Sequence, residues 1–240
     1  ENIVGLGGDG ENFSVYRNAI LNALTTSQTG TSENDDTVYT ELATMQQNLN
    51  EFNIYQPLAE SSAEMWTSAQ VVPGMFNAVD TLLAANDITR VNWATFLSEQ
   101  RNGVGCSSID TYSLQRYAAY HVNWMYGRLP VNRIIQPELE NGLETFAAAD
   151  NGRAGIIVYN TADQAKSAKI AFRGIPFEKG NVSVYLVDDE HITYSSKNEP
   201  YLAGYYKEVD VNRLTADLSL QKNAVYYIEI NAADGKQSDL

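Results

Sequence analysis

The sequence is poor in the side chains that build disulfides and metal centres. Its 240 residues include one cysteine, Cys106, and two histidines, His121 and His191. A single cysteine excludes an intrachain disulfide and a structural zinc site built from cysteines. Two histidines 70 positions apart do not form the spaced ligand sets of metal centres either. We therefore expect neither a metal site nor a cofactor.

Basic residues are also scarce. Sixteen Lys and Arg stand against thirty Asp and Glu, and the formal net charge is −14. Phosphate-binding surfaces need clusters of Lys and Arg, so this balance argues against a nucleic-acid partner and against an anionic membrane surface. We interpret the acidic excess as a solvated surface that favours solubility.

Long hydrophobic runs are missing from the sequence as well. No apolar stretch approaches the roughly 20 residues that a membrane-spanning helix requires. No signal peptide is recognisable, yet the chain begins with Glu1 and not with Met. We therefore expect processing or truncation upstream of this residue.

The first half of the sequence carries alternating helix and strand signals. Apolar residues spaced four, three, four and three from Val38 to Phe52 predict an amphipathic helix over residues 37–53. A short strand over residues 55–59 follows, and Pro73 lies in the first turn of the next predicted helix.

A second predicted strand, over residues 90–98, is followed by a helix over residues 114–126 that Pro130 closes. Strands that alternate with helices imply parallel strands joined by crossover helices. Either a small open sheet or the C-terminal part of a (β/α)8 barrel fits this order, since a complete barrel needs about 250 residues.

The second half of the sequence is β-rich. Four runs, "AGIIVYN", "AKIAFRG", "NVSVYLVD" and "NAVYYIEIN", are separated by turn signals such as Asn151-Gly152 and Lys179-Gly180. They predict an antiparallel β-sandwich. The expected fold class is thus α/β plus all-β, with an αβ part over residues 1–130 and a sandwich over residues 131–240.

A glycine-rich stretch, "GLGGDG" from Gly5 to Gly10, matches the GxGxxG pattern of dinucleotide-binding folds. Asp9 and Glu11 lie where a pyrophosphate would need positive potential. We favour a flexible loop, while a nucleotide-binding αβ domain is the competing hypothesis and predicts saturable binding of NAD or ATP.

Carboxylates and aromatic residues occur together after the predicted strands. Glu60 and Glu64 follow the first of these strands and Glu99 follows the second, with Trp66 and Trp93 nearby. In parallel αβ barrels the chemistry lies at the C-terminal ends of strands. Sugar rings stack on aromatic faces while a carboxylate attacks or protonates, so this pattern suits carbohydrate chemistry. Solvated loop glutamates give the same pattern, and the pattern alone leaves both interpretations open.

Two segments of the sequence resemble a known protein family. "SSIDTYSLQRYAAYHVNWMYGRLP", from Ser107 to Pro130, resembles the last turn of the catalytic barrel in clan A glycoside hydrolases, especially family 39. "FRGIPFEKGNVSVYLVDDEHITY", from Phe172 to Tyr194, looks like the accessory β-sandwich of that family. The resemblance implies the C-terminal portion of a (β/α)8 TIM barrel followed by the sandwich.

The resemblance also implies roles for particular residues. Glu60, at the end of the predicted strand 55–59, matches the catalytic nucleophile best, and Glu64 is its rival because an aromatic residue usually follows the nucleophile. Ser61 follows Glu60, whereas Met65-Trp66 follows Glu64. The last barrel strand would then cover residues 91–97. The sugar-binding residues implied in this way are Trp66, Trp93, Phe96 and Glu99.

The acid/base carboxylate of this family comes from a strand that would lie upstream of residue 1. We therefore expect a retaining glycoside hydrolase that is completed by an N-terminal barrel portion, in the same or a separate chain, and that acts on glycans in a secreted or periplasmic setting. A non-catalytic carbohydrate-binding or structural protein with the same architecture is the alternative.

Overall fold

The computed structural model describes residues 47–52, 69, 71–84, 88–93, 97–98, 108–110, 114–134, 141–191 and 200–233. Within these ranges the chain forms two helices, twelve strands and one 3-10 turn. In chain order the elements are β1 (Gln47–Phe52), α1 (Val71–Ala84), β2 (Ile88–Trp93), β3 (Leu97–Ser98), β4 (Ile109–Asp110), α2 (Ala118–Arg128), β5 (Arg133–Ile134), β6 (Leu143–Ala149), β7 (Arg153–Asn160), β8 (Lys166–Ala171), β9 (Lys179–Val187), β10 (Tyr201–Asp210), the 3-10 turn (Val211–Arg213), β11 (Thr215–Leu220) and β12 (Val225–Ala232).

The first three elements form a strand–helix–strand unit with parallel strands. β1 pairs with β2, with Gln47 opposite Ile88 and Phe52 opposite Trp93. Helix α1 lies between the two strands in sequence, and Pro73 occupies its third position, where a missing N–H costs no helical hydrogen bond. The prediction of parallel strands joined by a crossover helix is confirmed for this unit.

The predicted helix over residues 37–53 is wrong over Gln47–Phe52, which form strand β1. The cause lies in the strand register, because Leu49 is opposite Val91 whereas Phe52 is opposite Trp93. Three residues of β1 therefore span the same length as two residues of β2. This irregularity gives the apolar residues of a strand the spacing of three that is typical of a helix.

The other predictions in the first half need smaller corrections. The predicted strand over residues 90–98 corresponds to two strands, β2 and β3, and β3 pairs in parallel with β4. The last helix begins at Ala118 and not at residue 114. Leu114 has a positive φ of 55°, and Arg116 forms an isolated β-bridge with Ile109, so neither residue has helical geometry.

The second half forms an antiparallel sheet of six strands in the order β10-β9-β12-β7-β6-β5, and β8 pairs with β11 separately. The predicted strands coincide with β7, β9 and β12, and the predicted strand 168–174 overlaps β8. The sequence prediction missed β6, β10 and β11. β6 contains three alanines and β10 contains Ala203 and Gly204, which are residue types with low β-propensity.

Both faces of the large sheet are buried at its central strands, and alternate residues of these strands belong to different cores. One core lies between the sheet and the pair β8–β11. Its members from the sheet include Ile156 and Val158 of β7 together with Ile228 and Ile230 of β12. The alternation follows the two-residue period of a β-strand. β7 is consequently buried over its whole length from residue 154 to residue 160.

The other core, the helix–sheet core, joins both helices to the opposite face of the same sheet. The ring of Phe76 in α1 stacks on Tyr159 of β7 with centroids 5.3 Å apart. In α2, Trp124 meets the edge of Tyr185 of β9 at 4.9 Å. A Cβ atom on Gly155 would lie 2.9 Å from the Leu129 side chain, so this glycine permits the close approach of the end of α2 to β7.

An ion pair ties the last turn of α2 to the centre of the sheet. Arg128 donates two hydrogen bonds to the carboxylate of Glu229 in β12, from Nε at 3.0 Å and from Nη2 at 2.9 Å. The Glu229 side chain is 4% exposed and that of Arg128 is 42% exposed. The guanidinium also lies over the ring of Trp124, 4.9 Å from its centroid. A nearly buried carboxylate is thus neutralised by one arginine.

None of the helices in the described part of the chain is long and apolar enough to cross a membrane.

We expect Arg128→Ala to lower the free energy of unfolding by about 2 kcal/mol, because it leaves the Glu229 carboxylate buried without a counter-charge. Urea denaturation followed by circular dichroism measures the change. Lys169→Ala is the matched control, because Lys169 and Asp217 form an exposed pair at 3.9 Å, and its effect should stay within about 0.5 kcal/mol. Equal effects of the two variants would contradict the assigned role of Arg128.

Candidate active site

The structure describes one of the six predicted site residues, Trp93. Trp93 is the last residue of β2 and lies opposite Phe52 of β1. The remaining five lie outside the described residues: Glu60, Glu64, Trp66, Phe96 and Glu99. The glycine-rich stretch at residues 5–10 and Cys106 lie outside them too. The site is therefore built up from the ends of β1 and β2.

The carboxyl ends of β1 and β2 lie side by side because the two strands are parallel and in register at Phe52 and Trp93. Glu51 is the penultimate residue of β1. An acidic residue and two aromatic residues thus occupy the last positions of adjacent parallel strands. This is the edge at which αβ barrels carry their reactive groups.

The backbone at Glu51 departs from regular strand geometry. The shift in register lies between Leu49 and Phe52, and Glu51 falls within it. An extra residue in one strand locally twists the backbone and re-aims a side chain, and such bulges are frequent beside active sites. The register shift that made β1 look helical in the sequence thus includes Glu51, the one glutamate of the strand.

Glu51 is a candidate that the sequence analysis did not include, although a usable signal was present. In the family that the sequence resembles, an aromatic residue usually follows the nucleophilic glutamate, and "NEF" supplies Phe52 directly after Glu51. Because residues 37–53 were predicted to be helical, the sequence did not place Glu51 at the end of a strand. Neither Glu60 nor Glu64 is directly followed by an aromatic residue.

Helix α1 is held against the sheet by a polar contact as well as by its buried residues. The hydroxyl of Tyr126 in α2 donates a hydrogen bond to the carbonyl oxygen of Phe76, at 3.2 Å. Arg133 of β5 forms an ion pair with Asp80 of α1, and its guanidinium lies over the ring of Phe146, 4.5 Å from the centroid. The crossover helix of the β1–α1–β2 unit is therefore fixed to the six-stranded sheet.

His121 lies in α2 and is almost fully buried, at 2% exposure. Burial, together with the smaller effect of the nearby positive charge of Arg116, lowers the pKa of His121 to about 4. Within the described residues, neither its Nδ1 nor the buried Oγ of Ser108 has a hydrogen-bond partner. A neutral imidazole in the interior suits the structural role that we prefer for this residue.

No cluster of three or more His, Cys, Asp and Glu side chains in the described part of the chain could hold a metal ion. The other histidine, His191, lies beyond the end of β9 and contacts Asp188, with His191 Nδ1 2.7 Å from Asp188 Oδ1. These two residues belong to the surface around β10 and not to the ends of β1 and β2.

Several solved structures with a similar fold are glycoside hydrolases. An enzyme of glycoside hydrolase family 39 from Xanthomonas axonopodis pv. citri matches 95% of this chain with a TM-score of 0.66 and 9% identity. A monomeric β-xylosidase from Caulobacter crescentus matches 90% with a TM-score of 0.64 and 11% identity. A glucosidase from Croceicoccus marinus matches 95% with a TM-score of 0.60 and 13% identity.

This chain has the fold of part of a clan A glycoside hydrolase. It spans about half the length of these proteins, namely 50%, 50% and 52% of their chains. Glycoside hydrolases of families 30, 44 and 51 match as well. The resemblance to family 39 is therefore confirmed at the level of the fold. No protein-family model and no curated protein matches the sequence.

We expect the protein to lose stability as the pH falls from about 6.5 to about 4. In this window the unfolded chain binds a proton at His121, whereas the folded chain, with the pKa of His121 lowered to about 4, does not. The unfolded state is therefore favoured progressively as the pH falls, and the full effect is about 3 kcal/mol.

Urea denaturation of the His121→Asn variant at pH 7 and at pH 4.5 measures this contribution. The variant should be less sensitive to acid than the parent protein, because its side chain does not titrate. His121→Gln, which also lacks a titratable ring, is the matched control and should show the same reduced sensitivity to acid. An unchanged pH dependence in His121→Asn would contradict the assignment.

Proposed function

We propose that this chain is the C-terminal part of a retaining glycoside hydrolase. Residues 1–130 would contribute the last strands of a (β/α)8 barrel, and residues 131–240 would form an accessory β-sandwich. The shared fold, the parallel β1–α1–β2 unit and the antiparallel sheet behind it support this division. The first barrel strands, with the acid/base carboxylate, would come from an N-terminal portion in the same or a separate chain.

We further propose Glu51 as the nucleophile. The observation that carries the proposal is its place at the carboxyl end of β1, beside the end of β2, with Phe52 directly after it. Glu60 and Glu64 are rival candidates and lie nine and thirteen residues further along the sequence.

The proposed mechanism is a double displacement. The carboxylate of Glu51 attacks the anomeric carbon, the glycosidic bond breaks, and the acid from the N-terminal portion protonates the leaving oxygen. Water then attacks the glycosyl–enzyme ester, and the same acid/base residue accepts its proton. Retention requires the two carboxyl groups to be about 5 Å apart, which the end of a parallel strand in a closed barrel can provide.

The aromatic residues near these strand ends would bind the sugar rings. Trp93 ends the strand beside Glu51, and we propose that it stacks on the sugar, with Trp66, Phe96 and Glu99 as further contacts. The similar structures include a β-xylosidase and a glucosidase, which supports neutral xylosides and glucosides as substrates. Because glycans of this kind occur outside cells, we propose a secreted or periplasmic location.

In the full-length gene product, Glu51→Gln should reduce hydrolysis of aryl xylosides and glucosides by at least about three orders of magnitude, because the nucleophile is lost. Sugar binding should persist, since the amide preserves the shape of the side chain. Initial rates with a chromogenic glycoside, together with calorimetric titration of the product sugar, measure the two effects.

Glu60→Gln and Glu64→Gln are the matched controls for this experiment. Both should retain turnover within about tenfold, because they remove a carboxylate of the same type outside the nucleophile position. Loss of turnover in Glu60→Gln or Glu64→Gln, with an active Glu51→Gln variant, would transfer the role to that residue. A full-length parent protein that binds sugar without hydrolysing any glycoside would favour the non-catalytic alternative.

A further inference from the structure

Exposed apolar side chains are concentrated on one strand. Seven large apolar side chains in the described residues are exposed, and four of them belong to β10. These four are Tyr201, Leu202, Tyr205 and Tyr206, which are 46–55% exposed. β10 forms one edge of the six-stranded sheet. Such a cluster differs from the scattered apolar residues that every protein surface carries.

The strand register divides these side chains between the two faces of the sheet. Tyr201 is opposite Leu186 and Tyr206 is opposite Val182. Both partners belong to the core between the large sheet and the pair β8–β11, so the two tyrosines share that face. Tyr205, opposite Ser183, lies on the other face. Tyr201 and Tyr206 are five positions apart, an odd number that in a regular strand would put them on opposite faces. A shift in register at residue 203 brings the two tyrosines to one face.

The ring of Tyr206 lies against bare backbone. A Cβ atom on Gly204 would be 3.1 Å from Cε2 and 3.2 Å from the hydroxyl oxygen of Tyr206. A side chain at position 204 would therefore push the ring away. Glycine here allows the ring of Tyr206 to lie close to the backbone of residue 204.

The ring of Tyr201 is supported in a different way. His191 stacks on it with centroids 4.1 Å apart and an angle of 24° between the rings. The imidazole is fixed in turn by Asp188, whose Oδ1 lies 2.7 Å from His191 Nδ1 and accepts hydrogen bonds from the backbone N–H groups of Glu190 and His191 at 3.0 Å. One face of Tyr201 is thus covered by a fixed partner. Ordering an exposed ring in advance reduces the entropy that a ligand must overcome.

The backbone of β10 is poorly suited to pairing with another strand. Its register shifts twice, between Leu202 and Gly204 and between Tyr206 and Val209. Glu208 has a positive φ of 52°, and the charged Lys207 precedes it. Bulges and charges are the means by which edge strands avoid pairing with other chains. The exposed rings are therefore better explained by a ligand that contacts side chains than by strand addition.

The size of the surface selects the kind of ligand. A tyrosine buries about 150–250 Å², so two half-exposed rings offer about 200 Å² together. A stable protein partner needs about 800 Å² on each side. Two ring faces suit a ligand the size of one or two sugar units, whose C–H faces stack on aromatic rings. The net charge of −14 disfavours an acidic polymer.

We propose that Tyr201 and Tyr206 form a binding platform for a neutral polysaccharide chain on the edge strand of the sheet. The tyrosine hydroxyls and the carboxylate of Asp188 can hydrogen-bond sugar hydroxyls beside the stacked rings. The choice of a glycan ligand rests on the proposed function. The platform itself uses none of the residues that are proposed for hydrolysis.

Affinity electrophoresis of the full 240-residue chain in gels that contain xyloglucan, xylan or polygalacturonate tests the proposal. The chain should be retarded by at least one of the two neutral polymers and not by the acidic one. Tyr201→Ala/Tyr206→Ala should lower the apparent affinity at least tenfold. Gly204→Ala, which displaces the ring of Tyr206, should lower it by a smaller factor.

Tyr205→Ala is the matched control, because Tyr205 is equally exposed on the opposite face of the same strand, and it should bind like the parent chain. Thermal unfolding shows whether each variant is folded, and Gly204→Ala provides a single substitution if the double variant does not fold. Undiminished retardation of the folded variants would overturn the proposal. Equal retardation by polygalacturonate, or a change in oligomeric state of the double variant without loss of binding, would also overturn it.

The experiment separates this proposal from the proposed function. Binding that depends on the two tyrosines, in a protein whose full-length form hydrolyses no glycoside, would support the platform and contradict the enzyme. Hydrolysis that depends on Glu51, with binding unaffected by the loss of both tyrosines, would support the enzyme and contradict the platform.

Discussion

The burial of both faces of the central strands of the six-stranded sheet is the constraint on which the remaining structure depends. Residues 154–160 of β7 are all buried, so neither face of this strand can be left in water. The pair β8–β11 covers one face, and α1 and α2 cover the other. Each fully buried Val, Met or Phe contributes about 1.5–3 kcal/mol relative to an exposed position. The helices are therefore as necessary to the sheet as the sheet is to them.

This constraint connects the two halves of the chain and explains the ion pair between Arg128 and Glu229. Glu229 lies in a strand whose neighbouring residues are apolar and buried, and a lone carboxylate would be costly there. Arg128, at the end of α2, supplies the counter-charge while its guanidinium keeps partial contact with water. Such a pair adds little net free energy of folding, because both charges lose water on burial. Its main effect is to orient α2, since Arg128 must lie beside Glu229 for the buried carboxylate to have a counter-charge.

The elements that could be predicted from the sequence are those whose local pattern agrees with their tertiary surroundings. β9 and β12 alternate clearly, and α1 carries its proline in the first turn, so these elements were recognised. β6 was missed because its alanines carry no strand signal; tertiary packing places Ala148 in the core under the helices and Ala147 in the core under β8–β11. β1 was assigned to a helix because a shift in register spaces Leu49 and Phe52 three residues apart. A shift of this kind is defined by the pairing with β2, and the residues of β1 alone carry no information about that pairing.

The candidate site, too, could be predicted only where the local sequence pattern agrees with the tertiary structure. The sequence predicted carboxylates beside aromatic residues at the ends of parallel strands, and Trp93 does end β2. Glu51 becomes a candidate only once the end of β1 is known, and this end is defined by the pairing with β2. The helix–sheet core connects this pair of strands to the large sheet, because α1 joins β1 to β2 and packs on the sheet. The same sheet carries β10 at its edge. A polysaccharide held at Tyr201 and Tyr206 would be tethered to the same body as Glu51, and tethering raises the effective concentration of its other segments without any new contact at the reacting bond.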